Sequence, residues 1–386
     1  MTDELNVFMK IIRSAIIEDA LLCAEEKELC NSDNLLQMLK MAKHHDIAHL
    51  FSFGLIKNGL LANYKEIFEK EIFSAVYRYE KSNYELNILC KELEKAQIPF
   101  MLLKGSVIRR YYPEPWMRTS CDIDVLVHKH DLERAIKYLE DNLEYKTVSK
   151  NTHDVSLFSK GGIHIEMHYN LLEAGRVKSS AAVLNHVWDT ATVREGFNHL
   201  YEMSDAMFYF YHMSHMAKHI ECGGCGIRPF IDILILNNNI RFDRDQRQCL
   251  LERGELIVFA SNAELLSSVW FGNAEHTNTT KQLEHYILQG GVYGTMESKV
   301  AIEQSSKGGK FQYAFSRLIV PYELLKINYP IIESHKWLTP FMEVKRWIRL
   351  LFSGRFSYAV KELNCNNNVS RKTVVEMRKF LKNVGL

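Results

Sequence analysis

The sequence predicts an α+β protein: a mixed sheet with its own helices over residues 96–195, flanked by an N-terminal helical region (1–95) and a C-terminal one (196–386). Three observations predict this. No proline precedes Pro99, and the apolar residues before it recur at helical spacing. From Ile98 the pattern changes to short apolar runs bounded by glycine. Beyond about residue 196 long helical periods return.

Composition narrows the class further. At 386 residues, 47% hydrophobic and 25% charged, the chain resembles an average globular protein long enough for two or three domains. Its 48 basic and 47 acidic residues leave a net charge of +1, which argues against a protein that coats nucleic acid or anionic membrane. Long nucleic acid is therefore not an expected partner. Apolar runs such as residues 230–236 fall far short of the ~20 residues a membrane span needs. The first residues lack a basic stretch and a small-residue cleavage site, so no signal peptide is expected. Scattered cysteines fit a reducing, cytoplasmic setting.

The N-terminal region reads as successive helices. Leu5, Phe8, Ile11, Ile12, Ala15 and Ile16 share one face. Asn31 or Ser32 caps a second helix carrying Leu35, Leu36, Leu39 and Ala42. Residues 63–97 form a long charged helix with Ile67, Phe68, Ile72, Val76 and Tyr79 near one face. IPFMLLKG then reads as a buried strand, and SVIRRYY as a helix ended by Pro113 and Pro115. CDIDVLVH is a second strand, HDLERAIKYLEDN an amphipathic helix, and residues 145–149, 154–159 and 163–169 three more strands, with a turn at Gly161-Gly162. MSDAMFYFYHMSHMAKHI is a long helix. RPFIDILILNNN suits a buried helix or a strand, and its context favours helix. Residues 245–290 and 310–386 are helical, separated by a polar stretch around 290–310.

The chemistry concentrates in the sheet unit. Asp122 and Asp124 alternate with Ile123 and Val125 on one strand, so both carboxylates point the same way. Neighbouring carboxylates repel, and a divalent cation removes that cost. Mg²⁺ takes one or two carboxylates together with phosphate oxygens and water. In HIEMHY, Glu166 shares a face with His164 and His168. If the two strands are neighbours, Glu166 completes a three-acid cluster able to hold metal and to activate a hydroxyl. Lys104-Gly105-Ser106 sits between a strand and a helix, where glycine permits close approach to a phosphate and helix N–H groups are free. Arg118 is a further phosphate candidate.

LLKGSVIRRYYPEPWMRTSCDIDVLV followed by HIEMHYNL resembles the nucleotidyltransferase superfamily with polymerase-beta-like folds. More narrowly it is similar to the bacterial "uncharacterised nucleotidyltransferase" family, with its LKG strand, R-x-x-x-D-I-D block and H-[IV]-[DE]-x-H-[WY] strand. HMAKHIECGGCGIRPFIDILIL is similar to that family's second block. The resemblance implies a nucleotidyltransferase palm at 96–195. It implies Mg²⁺ or Mn²⁺ on Asp122, Asp124 and Glu166, and an NTP, ATP expected, with its phosphates at Gly105 and Ser106. The superfamily's loop usually carries a downstream glycine, whereas Arg109-Arg110-Tyr111 follow here. The acceptor is not readable from the residues.

Other readings stay open. His215, His219, Cys222 and Cys225 form H-x3-H-x2-C-x2-C, all zinc-ligand types. Against zinc, four ligands in eleven residues are very compact, and Gly223, Gly224 and Gly226 suggest a tight joint. Alternatively His215, His219, Arg228 and Asp232 form a polar cluster facing the sheet, with Arg228 on a phosphate or paired with Asp232. A buried ion pair with packing histidines would look the same. His44, His45 and His49 read as surface or packing residues. A catalytically idle binding or regulatory module, antitoxin-like, is the rival to an enzyme on the same fold.

Overall fold

The structure, a computed structural model, describes residues 3–60, 64–172, 177–239, 243–352, 354 and 356–386. Helix α1 (Asp3–Ile16) opens with Asp3 and Glu4, which suit the positive end of a helix dipole, and buries Phe8, Ile11, Ile12 and Ala15. Helices α2 (Ala24–Glu28), α3 (Ser32–His44) and α4 (Ala48–Lys57) follow. Asn31 caps α3, its side chain accepting from the Asn34 N–H at 3.0 Å. Where α4 crosses α1, Gly54 lies so close that a methyl there would overlap the Ile11 carbonyl. Helix α5 (Lys65–Lys95) buries Phe68, Ala75, Leu86, Leu89 and Leu93. Ile67, assigned from its spacing to the same face, points instead to solvent. Asn63, where that stretch was expected to begin, lies outside the described residues.

The sheet begins with β1 (Phe100–Leu102), followed by α6 (Lys104–Ile108) and β2 (Asp122–Val127). The helix expected to run to Tyr112 tightens into a single 3₁₀ turn at Arg109–Tyr111 before the prolines are reached. Next come α7 (Leu132–Leu143), β3 (Lys146–Lys150), β4 (Asp154–Phe158), β5 (His164–His168), α8 (Lys178–Leu184), β6 (Thr192–Val193) and β7 (Leu200–Glu202). The strand order is β3-β4-β5-β2-β1-β7-β6. β2–β5 and β1–β7 are parallel and the other pairs antiparallel, so the sheet is mixed. β7 corrects the reading of helix from residue 196 onward. It is three residues long, too short to carry a period, and exists because Phe100 and Leu200 pair across it.

Helices α9 (Asp205–Glu221), α10 (Arg228–Asn239), α11 (Arg244–Arg253), α12 (Ile257–Phe271), α13 (Asn278–Gly290) and α14 (Met296–Lys307) come next. α14 runs through the stretch read as a polar linker. Thr295 caps it, and Val300, Ala301 and Ile302 are buried beside Glu303 and Gln304, whose polarity hid the helix. Further helices continue to the last one, Arg371–Val384.

Two cores set the geometry. One face of the sheet (Ile123, Val125, Ile165, Met167) packs on Leu89 and Leu93 of α5 and Ile136 and Leu139 of α7. Fully burying each such side chain is worth about 1.5–3 kcal/mol. The second core joins α1 and α4 to α9, α10 and α12, so the helices before and after the sheet share one interior. Met101 and Leu126 reach it from the sheet's opposite face. Among the described residues, no helix is long and apolar enough to cross a membrane.

Candidate active site

Parallel pairing aligns Asp122 with His164 and Asp124 with Glu166. Paired residues share a face and alternate residues repeat it. Asp122, Asp124, His164, Glu166 and His168 therefore project together, while Ile123, Val125, Ile165 and Met167 fill the core behind. Ligand atoms of Asp122, His164 and Glu166 lie within 4.8 Å of one another, and so do those of Asp124, Glu166 and His168. Glu166 thus reaches both aspartates. Antiparallel β4 brings Asp154 opposite His168. This face floors a cleft of about 380 Å³ walled by α9 and α10 through His215, His219, Arg228 and Asp232.

Charge is distributed unevenly in the cluster. Asp124 is buried, with Lys104 Nζ at 2.6 Å and His168 Nε2 at 2.8 Å from its Oδ1. Burial opposes its ionisation, but Lys104 and His168 outweigh that and hold the carboxyl below its usual range. Among the described residues Asp122 makes no such hydrogen bond, and Lys104 and His164 offset its surroundings only in part. Burial first, then the Asp124 charge, push it up to about 6. Burial disfavours the Lys104 ammonium, yet Asp124 holds its pKa above the ordinary value. Lys104 Nζ also lies 3.7 Å from Glu166. Lys104 makes these contacts from a left-handed backbone (φ 45°), a conformation that costs a residue with a side chain about 1–3 kcal/mol.

The glycine–serine corner is divided. Gly105 borders the cleft, and a Cβ there would stand 3.1 Å from the Ser120 Cβ, so the glycine admits the loop before β2. Ser106 faces a neighbouring cavity of about 280 Å³ with Tyr79, Arg109 and Arg110. Its hydroxyl is buried without a partner. Adjacent helical residues diverge by about 100°, and 105 and 106 border different cavities.

The arginines are anchored. Arg118 grips Asp232 with Nε and Nη2 at 2.8–3.0 Å, and Tyr112 donates to the same carboxylate at 2.6 Å. Arg228 does not pair with Asp232, as one reading had it. It lies 3.2 Å from Asp46 and donates to the Thr119 carbonyl at 2.6 Å. Both guanidiniums line the cleft.

His215 and His219 meet edge to face, rings inclined at 75°, with their Nε2 atoms 3.3 Å apart. Burial pushes both imidazoles down, His219 to about 4, which keeps them neutral. The zinc tetrad is corrected: among the described residues, His215, His219, Cys222 and Cys225 do not gather as a ligand group. Burial raises the Cys225 thiol to about 12, against thiolate formation. The adjacent glycines serve a backbone crossing, for a methyl on Gly294 would overlap the Gly223 carbonyl.

Sequence reasoning missed His153, Asp154 and Asp46. The signal for Asp154 was its place in period with Ser156 on a strand beside HIEMH. Asp46 had none, since it enters from the α3–α4 turn. Asp154 is held down to about 2: burial opposes this, and His153 and Asn151 overcome it.

Fold and site together define an α+β protein with a buried acidic cleft whose donors suit a divalent cation. The model for the family described as "Uncharacterised nucleotidyltransferase" matches residues 31–272, more than half of the chain. The protein belongs to that uncharacterised nucleotidyltransferase family. No curated protein and no solved structure matches it.

Proposed function

We propose that this chain is a Mg²⁺-dependent nucleotidyltransferase. It moves a nucleoside monophosphate from an NTP, ATP above all, to an acceptor hydroxyl on a small molecule, sugar, peptide or protein. The observation that carries this reading is the convergence of Asp122, Asp124 and Glu166 on one sheet face inside a cleft. The donors fit the cation: carboxylate oxygens suit Mg²⁺ or Mn²⁺. Burial and the neighbouring Asp124 charge disfavour ionised Asp122, a cost that a bound divalent cation would offset.

Bound to Asp122, Asp124 and Glu166, the cation supplies charge neutralisation at the transferred phosphoryl group. The chain's own groups do the rest. Lys104 leaves Asp124 for a phosphate oxygen, and Gly105 allows the triphosphate close to the backbone. Arg118 and Arg228, held by Asp232 and Asp46, add fixed positive charge along the cleft. Glu166 takes the acceptor hydroxyl's proton. The acceptor oxygen then bonds to the α-phosphorus in line, the α-phosphorus–oxygen bond to the β-phosphate breaks, and pyrophosphate leaves. The test is incubation of the protein with α-labelled NTPs, Mg²⁺ and cell extract. Label should transfer with the wild type and not with Asp122→Asn/Asp124→Asn. Equal transfer by both would reject the assignment.

One observation favours the idle-module reading. The Lys104 ammonium already rests between Asp124 and Glu166, where a cation would bind. Calorimetry with Mg²⁺ and each NTP separates the two, because an idle module of this kind takes up neither.

A further inference from the structure

We propose that His153, Asp154 and His168 form a second metal site, for a zinc-class divalent ion, beside the acid cluster. One ligand atom from each lies within 4.8 Å of the other two. Their side chains are 12%, 6% and 3% exposed, and all three border the cleft, so an ion can reach them.

Each ligand is already oriented by other contacts. Asp154 begins β4 and His168 ends β5 as its register partner. Asp154 Oδ1 accepts from Asn151 Nδ2 at 2.7 Å, which turns Oδ2 toward His153 Nε2 at 2.9 Å. The His153 carbonyl accepts from the Tyr169 and Asn170 N–H groups at 2.9 and 3.2 Å, tying its loop to the end of β5. His168 Nε2 lies against Asp124, while its Nδ1 is buried with no hydrogen-bond partner among the described residues. That is the usual situation of a metal-bound imidazole, one ring nitrogen on a carboxylate and the other on the ion. His153 Nδ1 is likewise buried and partnerless.

The donor set decides the metal. Two imidazoles and one carboxylate are ligands for Zn²⁺ with an open fourth position. Mg²⁺ prefers oxygen donors and is better served by the three acids. A plain His153–Asp154 ion pair accounts for one contact, but it leaves His168 Nδ1 unsatisfied inside the protein, which is costly. An ion on Nδ1 also fixes the proton on Nε2, facing Asp124, so His168 links the two sites.

The experiment uses the full chain, chelator-treated, without nucleotide, and titrates Zn²⁺ by calorimetry. Co²⁺ absorption reports the coordination. The expected result is one tight Zn²⁺ per chain, kept by Asp122→Asn, which leaves the Asp124–His168 contact in place, and weakened by at least about 10–100-fold by His153→Ala and by Asp154→Asn. Circular dichroism checks each variant's fold, and Asp154→Asn, nearly isosteric, carries the test if His153→Ala does not fold. Unchanged Zn²⁺ affinity in a folded ligand variant overturns the site. So does Zn²⁺ lost only from Asp122→Asn, or no uptake by the wild type at micromolar Zn²⁺.

Discussion

Replacing Lys104 with methionine removes the ammonium seated between Asp124 and Glu166 while keeping most of its stem. Asp124 is 2% exposed and has that ammonium 2.6 Å away. Breaking a buried pair by deleting one partner costs about 3–5 kcal/mol, because the other charge is left behind. His168 remains at 2.8 Å and moderates the loss, so the lower end applies. Unfolding entropy of about 2.1 cal/mol/K per residue over this length gives about 0.8 kcal/mol/K. The melting temperature in chelator should therefore fall by about 4 °C. Mg²⁺ should reverse the deficit, and its stabilising shift should exceed that of the wild type, since no ammonium competes for Asp124. The assay is thermal unfolding in chelator and across a Mg²⁺ titration. If Lys104→Met melts with the wild type in chelator and responds equally to Mg²⁺, the ammonium does not occupy the cation's place.

Other perturbations probe the frame around the cleft. Gly54→Ala forces a methyl into the Ile11 carbonyl and should destabilise by about 1–3 kcal/mol or more, read from the urea midpoint. Arg118→Lys loses the two-pronged grip on Asp232 and should cost about 1.5–3 kcal/mol in the same measurement. Burial holds the His45 imidazole down to about 4, whereas an unfolded histidine titrates near ~6.5. Its contribution to stability is therefore complete above ~6.5 and lost as pH falls toward 4, up to about 3 kcal/mol. His45→Leu should flatten the stability curve across that window, and an unchanged curve would show that His45 does not titrate as stated.

The acid-bearing strands were legible because their carboxylates alternate with Ile123, Val125, Ile165 and Met167, a period only a half-buried strand requires. Their adjacency was an assumption, since parallel pairing of β2 with β5 skips the two intervening strands β3 and β4. Ser106 was read with Gly105 as one phosphate corner because a dipeptide looks like a unit in sequence. In a helix it is not, and Ser106 lines the neighbouring cavity. Lys104 was read toward phosphate, and only three dimensions reveal that it meets Asp124 from a left-handed backbone. Asp46, His153 and the short strand β7 owe their places to segments distant in the chain, and local pattern holds no record of such pairings.

Label transfer from α-labelled ATP with Mg²⁺, wild type beside Asp124→Asn at matched folded concentration, bears most directly on the acidic cleft as a catalytic centre. Transfer should fall to background in the variant. Undiminished transfer by Asp124→Asn would contradict the role given to that cleft.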